Sequence, residues 1–187
     1  PAKPAEANGT KSGARVSTYV VKPKDNLLLI AAKKEIFNDA SQWSILFLAN
    51  KDTIKTPQML SKEQVLKLPV AHFRITNVQF NPDDTPENIS NMLHIKLFDL
   101  ISMLKRYPDN KIRIGVHTDG GAPTNPKYKT ANEYSQAEAE SVKLYLVKNG
   151  VQEKMIEALG FGNSQLAGKA DERETNRRLE IVVLQKE

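Results

Sequence analysis

The chain has 187 residues, 40% hydrophobic and 26% charged, enough for one well-filled domain or two small ones. It has no cysteine, which excludes disulfides and thiolate metal sites, and no apolar run long enough to cross a bilayer or to act as a leader. The net charge of +5 is uneven: residues 1–70 hold 11 Lys/Arg against 6 Asp/Glu, and residues 71–187 hold 16 of each. That contrast is expected of two units with different surfaces. No basic stripe interleaves with aromatic residues, so the excess reads as solvated surface and nucleic acid is not an expected partner.

The opening PAKPAEANGTKSGARVS reads as a polar linker over residues 1–17, with further sequence expected before Pro1. A short strand is expected at Thr18–Val21. Asp25 or Asn26 then caps a helix whose apolar residues are Leu28, Ile30, Ala31 and Ala32. A second helix begins near Ser41 and carries Trp43, Leu46, Phe47 and Ala49. From Val65 the sequence VLKLP alternates as a half-buried strand does, until Pro69 stops it. Strand, helix, helix, strand makes a small two-layer unit.

The segments Tyr19-x-Val21, Asp25-x-Leu27, Ile30-Ala31, Trp43 with Leu46-Phe47-x-Ala49-Asn50, and Gln64-x-Leu66-x-Leu68-Pro69 resemble the LysM module. The resemblance implies a βααβ domain that binds N-acetylglucosamine polymers, with Asp25, Asn26 and Asn50 as sugar-binding candidates. Lys24 and Glu63 stand where that family carries glycine, and a side chain at either fills space beside the groove. Tyr19, Trp43 and Phe47 read either as core or as a sugar-stacking platform, and core fits their spacing better.

In the second unit, HFRITNVQF alternates as a strand with Phe73, Ile75, Val78 and Phe80 inward, followed by the turn-rich NPDDTPEN. A long amphipathic helix starts at Ser90 or Asn91, aligns Leu93, Leu97, Leu100, Ile101 and Leu104 on one face, and has ended by Pro108. KIRIGV is a strand with Ile112, Ile114 and Val116 on one face, leading through His117-Thr118-Asp119 into a Gly120-Gly121 loop. The next helix turns Ala139, Val142, Tyr145 and Leu146 inward and stops at Asn149-Gly150. Met155–Gly160 and Arg178–Leu184 are the remaining strands.

Val78-x-Phe80, the His117-Thr118-Asp119 turn, the Ser135-to-Leu146 helix, Gly160-Phe161-Gly162 and Asn176-Arg177-Arg178-Leu179-Glu180-Ile181 together resemble the OmpA-like C-terminal domain, over about residues 73 to 185. The resemblance implies peptidoglycan as partner. An aspartate answers the ammonium of a wall diaminopimelate and an arginine its carboxylate, each charge-assisted bond contributing about 1.5–3 kcal/mol. Asp119 stands at the aspartate position, but Glu138 stands at the arginine position. Losing that attraction and adding a repulsion costs about 3–6 kcal/mol at a half-buried site, so the site is expected to be impaired. Lys127, Lys129 and Arg177 are the replacement cations expected from sequence, and Thr118, Asn132 and Arg178 complete the implied site. Structurally, Glu138 fits a capping box with Ser135, Thr130 and Glu133 repeat that pattern one turn earlier, and Asp119 fits a turn cap.

His72, His94 and His117 are too scattered for a local metal motif, and no nucleophile motif accompanies them. The expectation is an α+β protein in two parts: a LysM-like unit (18–70), then an OmpA-like domain (71–187) with helices on one face of a mixed sheet. No catalysis, metal or cofactor is expected. The chain is read as a structural protein of the periplasm or outer-membrane envelope, with peptidoglycan or other envelope proteins as partners, and not itself transmembrane.

Overall fold

A computed structural model describes residues 17–78, 91–106, 108–121 and 126–185. The expected linker up to Val16 and the NPDDTPEN loop with Phe80 and Ser90 lie outside the described residues.

The first unit runs β1 (Thr18–Val20), α1 (Leu27–Ala31), a single 3-10 turn (Ala40–Gln42), α2 (Trp43–Ala49) and β2 (Val65–Lys67), with β1 antiparallel to β2. Asn26 starts α1 by accepting from the Leu29 amide at 2.9 Å. The buried face of α1 is Leu27, Ile30 and Ala31, whereas the expected Leu28 is half exposed and Ala32 is exposed. Leu27 takes the inward position because it is the residue three before Ile30 on the helix. Phe47 is fully buried, and Tyr19 and Trp43 pack at the margin of the same core.

The backbone is left-handed at Lys24 (φ 71°) and Glu63 (φ 66°), where a side chain crowds the following carbonyl.

The second unit runs β3 (Ala71–Thr76), α3 (Asn91–Leu104), β4 (Ile112–His117), α4 (Ala131–Lys148), β5 (Ile156–Gly162), α5 (Arg173–Asn176) and β6 (Arg178–Val183). Its sheet has the order β3-β6-β4-β5, antiparallel except for the β4–β5 pair. The mixed α+β fold thus matches the sequence reading. Ile112, Ile114, Val116, Leu179, Ile181 and Val183 face α3 and α4, joined by Leu93, Leu97, Leu100, Ile101 and Leu104. Alternation and helical periodicity mark these residues for a single core.

The other sheet face is where the structure goes beyond the sequence. Phe161, Val182 and Leu184 belong to the same buried cluster as Ile45, Leu46, Phe47 and Leu48, so the first unit lies across that face as a third layer. Gly115 permits the approach: a Cβ there would lie 3.1 Å from the Phe161 ring and 3.2 Å from Leu48 Cδ2.

Charged residues on that face are consequently buried. Glu180 is wholly buried and accepts from Ser44 Oγ on α2 (2.7 Å), Arg74 Nε on β3 (3.2 Å) and Arg178 Nε on its own strand (2.7 Å). His117 Nε2 lies 3.3 Å from its second oxygen, and the His117 ring stacks on Phe161 at 4.9 Å. Burial opposes the charged form of Glu180, yet the groups facing it, His117, Arg178 and Arg74, hold its carboxyl well below the ordinary carboxylate range. Burial likewise opposes the charged form of His117 and holds it below its ordinary value, against the pull of Glu180. Arg113, also fully buried, donates to Glu157 Oε2 (2.8 Å), to the α2 carbonyls of Leu48 (3.2 Å) and Ala49 (3.0 Å), and to Asp52.

Glu180→Ala is expected to lower stability by about 3–5 kcal/mol, because it strands the buried Arg178 guanidinium and the half-buried one of Arg74. In urea titrations, fluorescence of Trp43, in the first unit, should unfold together with the far-UV signal of the whole chain. A separate early Trp43 transition would show the two layers to be uncoupled. Lys24→Gly and Glu63→Gly should each raise stability by about 0.5–1 kcal/mol by removing left-handed strain. A fall in the urea midpoint with either would refute the strain.

Candidate functional site

The site implied by the OmpA-like resemblance forms where β4 ends, α4 begins and α5 leads into β6. The helix α4 starts earlier than a Ser135 cap would place it. Thr130 is the N-cap and shares a capping box with Glu133, Thr130 Oγ1 accepting from the Glu133 amide at 3.1 Å and Glu133 Oε2 from the Thr130 amide at 3.2 Å. This corrects the Ser135–Glu138 capping box. Glu138 is a buried residue inside the helix, and Ser135 is used differently.

Ser135 Oγ donates to the Asn132 carbonyl (3.1 Å) and accepts from the Gly162 amide (2.8 Å). The Gly162 carbonyl accepts from the Thr118 amide at 2.9 Å. Thr118, Asn132 and Ser135 thus converge on Gly162, whose φ is 51°; a Cβ there would lie 2.2 Å from Asn132 Oδ1. Gly160 allows the same close approach, since a Cβ would lie 2.2 Å from the Gln136 backbone nitrogen. The Gln136 side chain then covers the β5 edge, accepting from the Gly160 amide at 2.7 Å and donating to the Ala158 carbonyl at 3.1 Å.

Asp119 follows the end of β4 with both carboxylate oxygens engaged. Oδ1 accepts from the Gly121 amide at 3.0 Å, the turn cap expected of an aspartate before two glycines. Oδ2 accepts from Arg173 Nε at 2.8 Å, with Arg177 Nε 3.4 Å away. Burial pushes the Asp119 carboxyl up, but the Gly121 amide and the two guanidiniums outweigh it and hold the carboxyl below its ordinary value. Arg173 and Arg177 are four residues apart along α5 and its C-terminal cap, so both reach the same carboxylate. Among the described residues their Nη atoms make no hydrogen bond.

The structure brings Thr118, Asp119, Asn132 and Arg177 to this corner. Arg178 points elsewhere, to Glu180, the Asn176 carbonyl (3.2 Å) and the Gln165 carbonyl (2.9 Å). Asn176, also buried, accepts from the Ala167 and Gly168 amides (3.0 Å each) and donates to the Lys169 carbonyl at 2.6 Å, fixing the approach to Arg177. Lys127 Nζ lies over the Tyr128 ring at 5.5 Å, and the Lys129 amide donates to Glu133. Arg173 was not among the replacement cations expected from sequence. Its signal is the i, i+4 spacing to Arg177 in RETNR.

The three sugar-binding candidates of the first unit are separately engaged within it. Asp25 accepts from the Tyr19 hydroxyl (2.6 Å) and the Lys22 amide (2.9 Å) and pairs with Lys33 (3.4 Å). Asn26 caps α1. Asn50 donates to the Leu46 and Lys67 carbonyls (2.9 Å each) and accepts from the Lys67 amide (2.7 Å), tying α2 to β2. Among the described residues no group of three His, Asp or Glu side chains is placed to hold a metal, and no helix is long and apolar enough to cross a membrane.

Comparison with known proteins agrees with the fold. The chain is 36% identical over 88 residues to outer membrane porin F of Pseudomonas fluorescens, a match covering 46% of this chain and 26% of that protein's length. Two solved structures share the fold at 18% identity. The periplasmic domain of Helicobacter pylori MotB has a TM-score of 0.55, covering 66% of this chain and 82% of that one. The cell wall anchor of the T6SS from Pseudomonas aeruginosa has a TM-score of 0.53, covering 75% and 97%. The sequence model of the OmpA family matches residues 80–179, which span α3, β4, α4, β5, α5 and the start of β6 with the whole Asp119 corner, and the chain belongs to that family.

Proposed function

We propose that the chain is a non-catalytic, peptidoglycan-associated component of the cell envelope, periplasmic and near the outer membrane, whose usual diaminopimelate site is impaired. In this reading a polar linker (1–17) leads into a LysM-like unit (18–70) fused to an OmpA-like domain (71–187). The observation that carries it is the charge order of the Asp119 corner. The aspartate is already neutralised by Arg173 and Arg177, and the position from which an arginine would hold the ligand carboxylate is the buried Glu138. A ligand ammonium must displace a guanidinium held in a charge-assisted bond, and the ligand carboxylate finds no arginine at position 138.

Family membership and the similarity to an outer membrane porin and a cell wall anchor support the envelope assignment. The LysM-like reading draws on the βααβ order, the antiparallel β1–β2 pair and the left-handed backbone at Lys24 and Glu63, the positions where that family carries glycine. A second reading, a periplasmic protein–protein scaffold without wall binding, draws on the exposed apolar residues Val20 and Val65, paired across β1 and β2, with Leu28 and Leu29 on α1.

Co-sedimentation of the chain with isolated sacculi at physiological salt tests the proposal. Wild type should be retained weakly, and Glu138→Arg should raise the retained fraction by about tenfold or more. Wild-type retention as firm as that of the variant would overturn the impaired site. No retention of either would overturn wall association.

A further inference from the structure

We infer that the Asp119–Arg173–Arg177 corner is a carboxylate-binding site in which Asp119 is the internal counter-ion and the two arginines are the ligand-holding groups. The inference rests on the wall-peptide reading above and reverses the polarity of the family's arrangement. There, the aspartate meets the ligand's ammonium; here it does not touch the ligand.

The geometry carries the assignment. Arg173 and Arg177 both turn Nε toward the single oxygen Oδ2 of Asp119, at 2.8 and 3.4 Å. The other oxygen is taken by the Gly121 amide. One carboxylate therefore faces two guanidiniums, and the three groups together carry one positive charge in excess. Arg173 is fixed through its Nε bond and Arg177 is drawn to the same oxygen as an ion pair without a hydrogen bond, and among the described residues neither uses its Nη atoms. A planar fork held in place and left open is suited to a carboxylate, which it can engage through two parallel N–H···O bonds. Arg173 is 64% exposed on its side chain and Arg177 is 31% exposed, so both are reachable. Asp119, at 7%, is screened behind them. A buried neighbour, Thr118, has a hydroxyl without a hydrogen-bond partner among the described residues, adding a polar group at the same corner. The ligand class is a wall peptide recognised by a free carboxylate alone, with its amine irrelevant.

The test is calorimetric titration of the full chain with a synthetic wall tripeptide ending in diaminopimelate, in three forms: unmodified, with its free side-chain amine acetylated, and with its carboxylates amidated. The acetylated peptide should bind within about twofold of the unmodified one, and the amidated peptide about tenfold or more weakly. Arg173→Gln should lower affinity for the first two forms by about tenfold. Its thermal unfolding should be unchanged, because the side chain is largely exposed. Asp119→Asn, which loosens the arginines, should weaken both forms equally and leave their ratio near one, as befits a positioning residue. Binding lost on acetylation but kept on amidation would overturn the inference and return Asp119 to the ammonium. No binding of any form at millimolar peptide would also overturn it. Sacculus retention in that case would leave the wall assignment standing on another surface.

Discussion

The arrangement of this chain depends on a carboxylate buried in the middle of a sheet. Glu180 is on the central strand β6, on the face opposite the helices, and has no access to water. Removing a carboxylate from water costs several kcal/mol, and only close, well-directed donors offset that. Two come from the sheet itself: Arg178 from two residues earlier on β6, and Arg74 from the cross-strand position on β3. Arg74 is also bonded from beyond the sheet. The first unit closes the site, with Ser44 donating to Glu180 and the Ser41 carbonyl accepting from Arg74 Nη2 at 2.7 Å.

A second anchor at the other end of α2 makes this contact directional. The last carbonyls of a helix have no partner within it and carry the negative end of its dipole. Arg113 donates to two of them, Leu48 and Ala49, while its Nε donates to Glu157 on the neighbouring strand β5. The helix is thus held near its start through β3 and β6 and at its end through β4 and β5. Between these points Ile45 and Leu48 pack with Phe161 and Val182. Hydrophobic contact alone would bring the layers together with little preference for angle. Two charge clusters at opposite ends of a helix of seven residues fix the angle.

Periodicity in the sequence revealed one face of the sheet and hid the other. Leu179, Ile181 and Val183 alternate as a core strand does, and the helix face from Leu93 to Leu104 repeats at three and four. The same alternation assigns Arg113, Arg178 and Glu180 to solvent, because a charged residue between apolar ones is the usual mark of an exposed face. Nothing local says that a segment between 61 and 136 residues away lies against this face. Val182 and Leu184, apolar on the supposedly wet side of the strand, were the trace of that cover. At the ligand corner, the aspartate and the lost arginine were readable by position. Arg173 was not, since its role exists only once α5 folds back to place it against a loop 54 residues earlier.

The two charge systems share a backbone. His117, against Glu180, is two residues from Asp119, and Arg178, bonded to Glu180, directly follows Arg177. On neighbouring strands the buried network and the ligand corner are successive residues of the same chain segments, with Thr118 between them bonded to Gly162. The position of the Asp119 corner is therefore set by how firmly β4 and β6 are held at Glu180, and part of that hold comes from α2 of the first unit. A domain whose outer sheet face is open to water lacks this support. Covering that face lets the corner keep two like-charged guanidiniums close together around one carboxylate, an arrangement that spreads apart unless the strands beneath it are fixed.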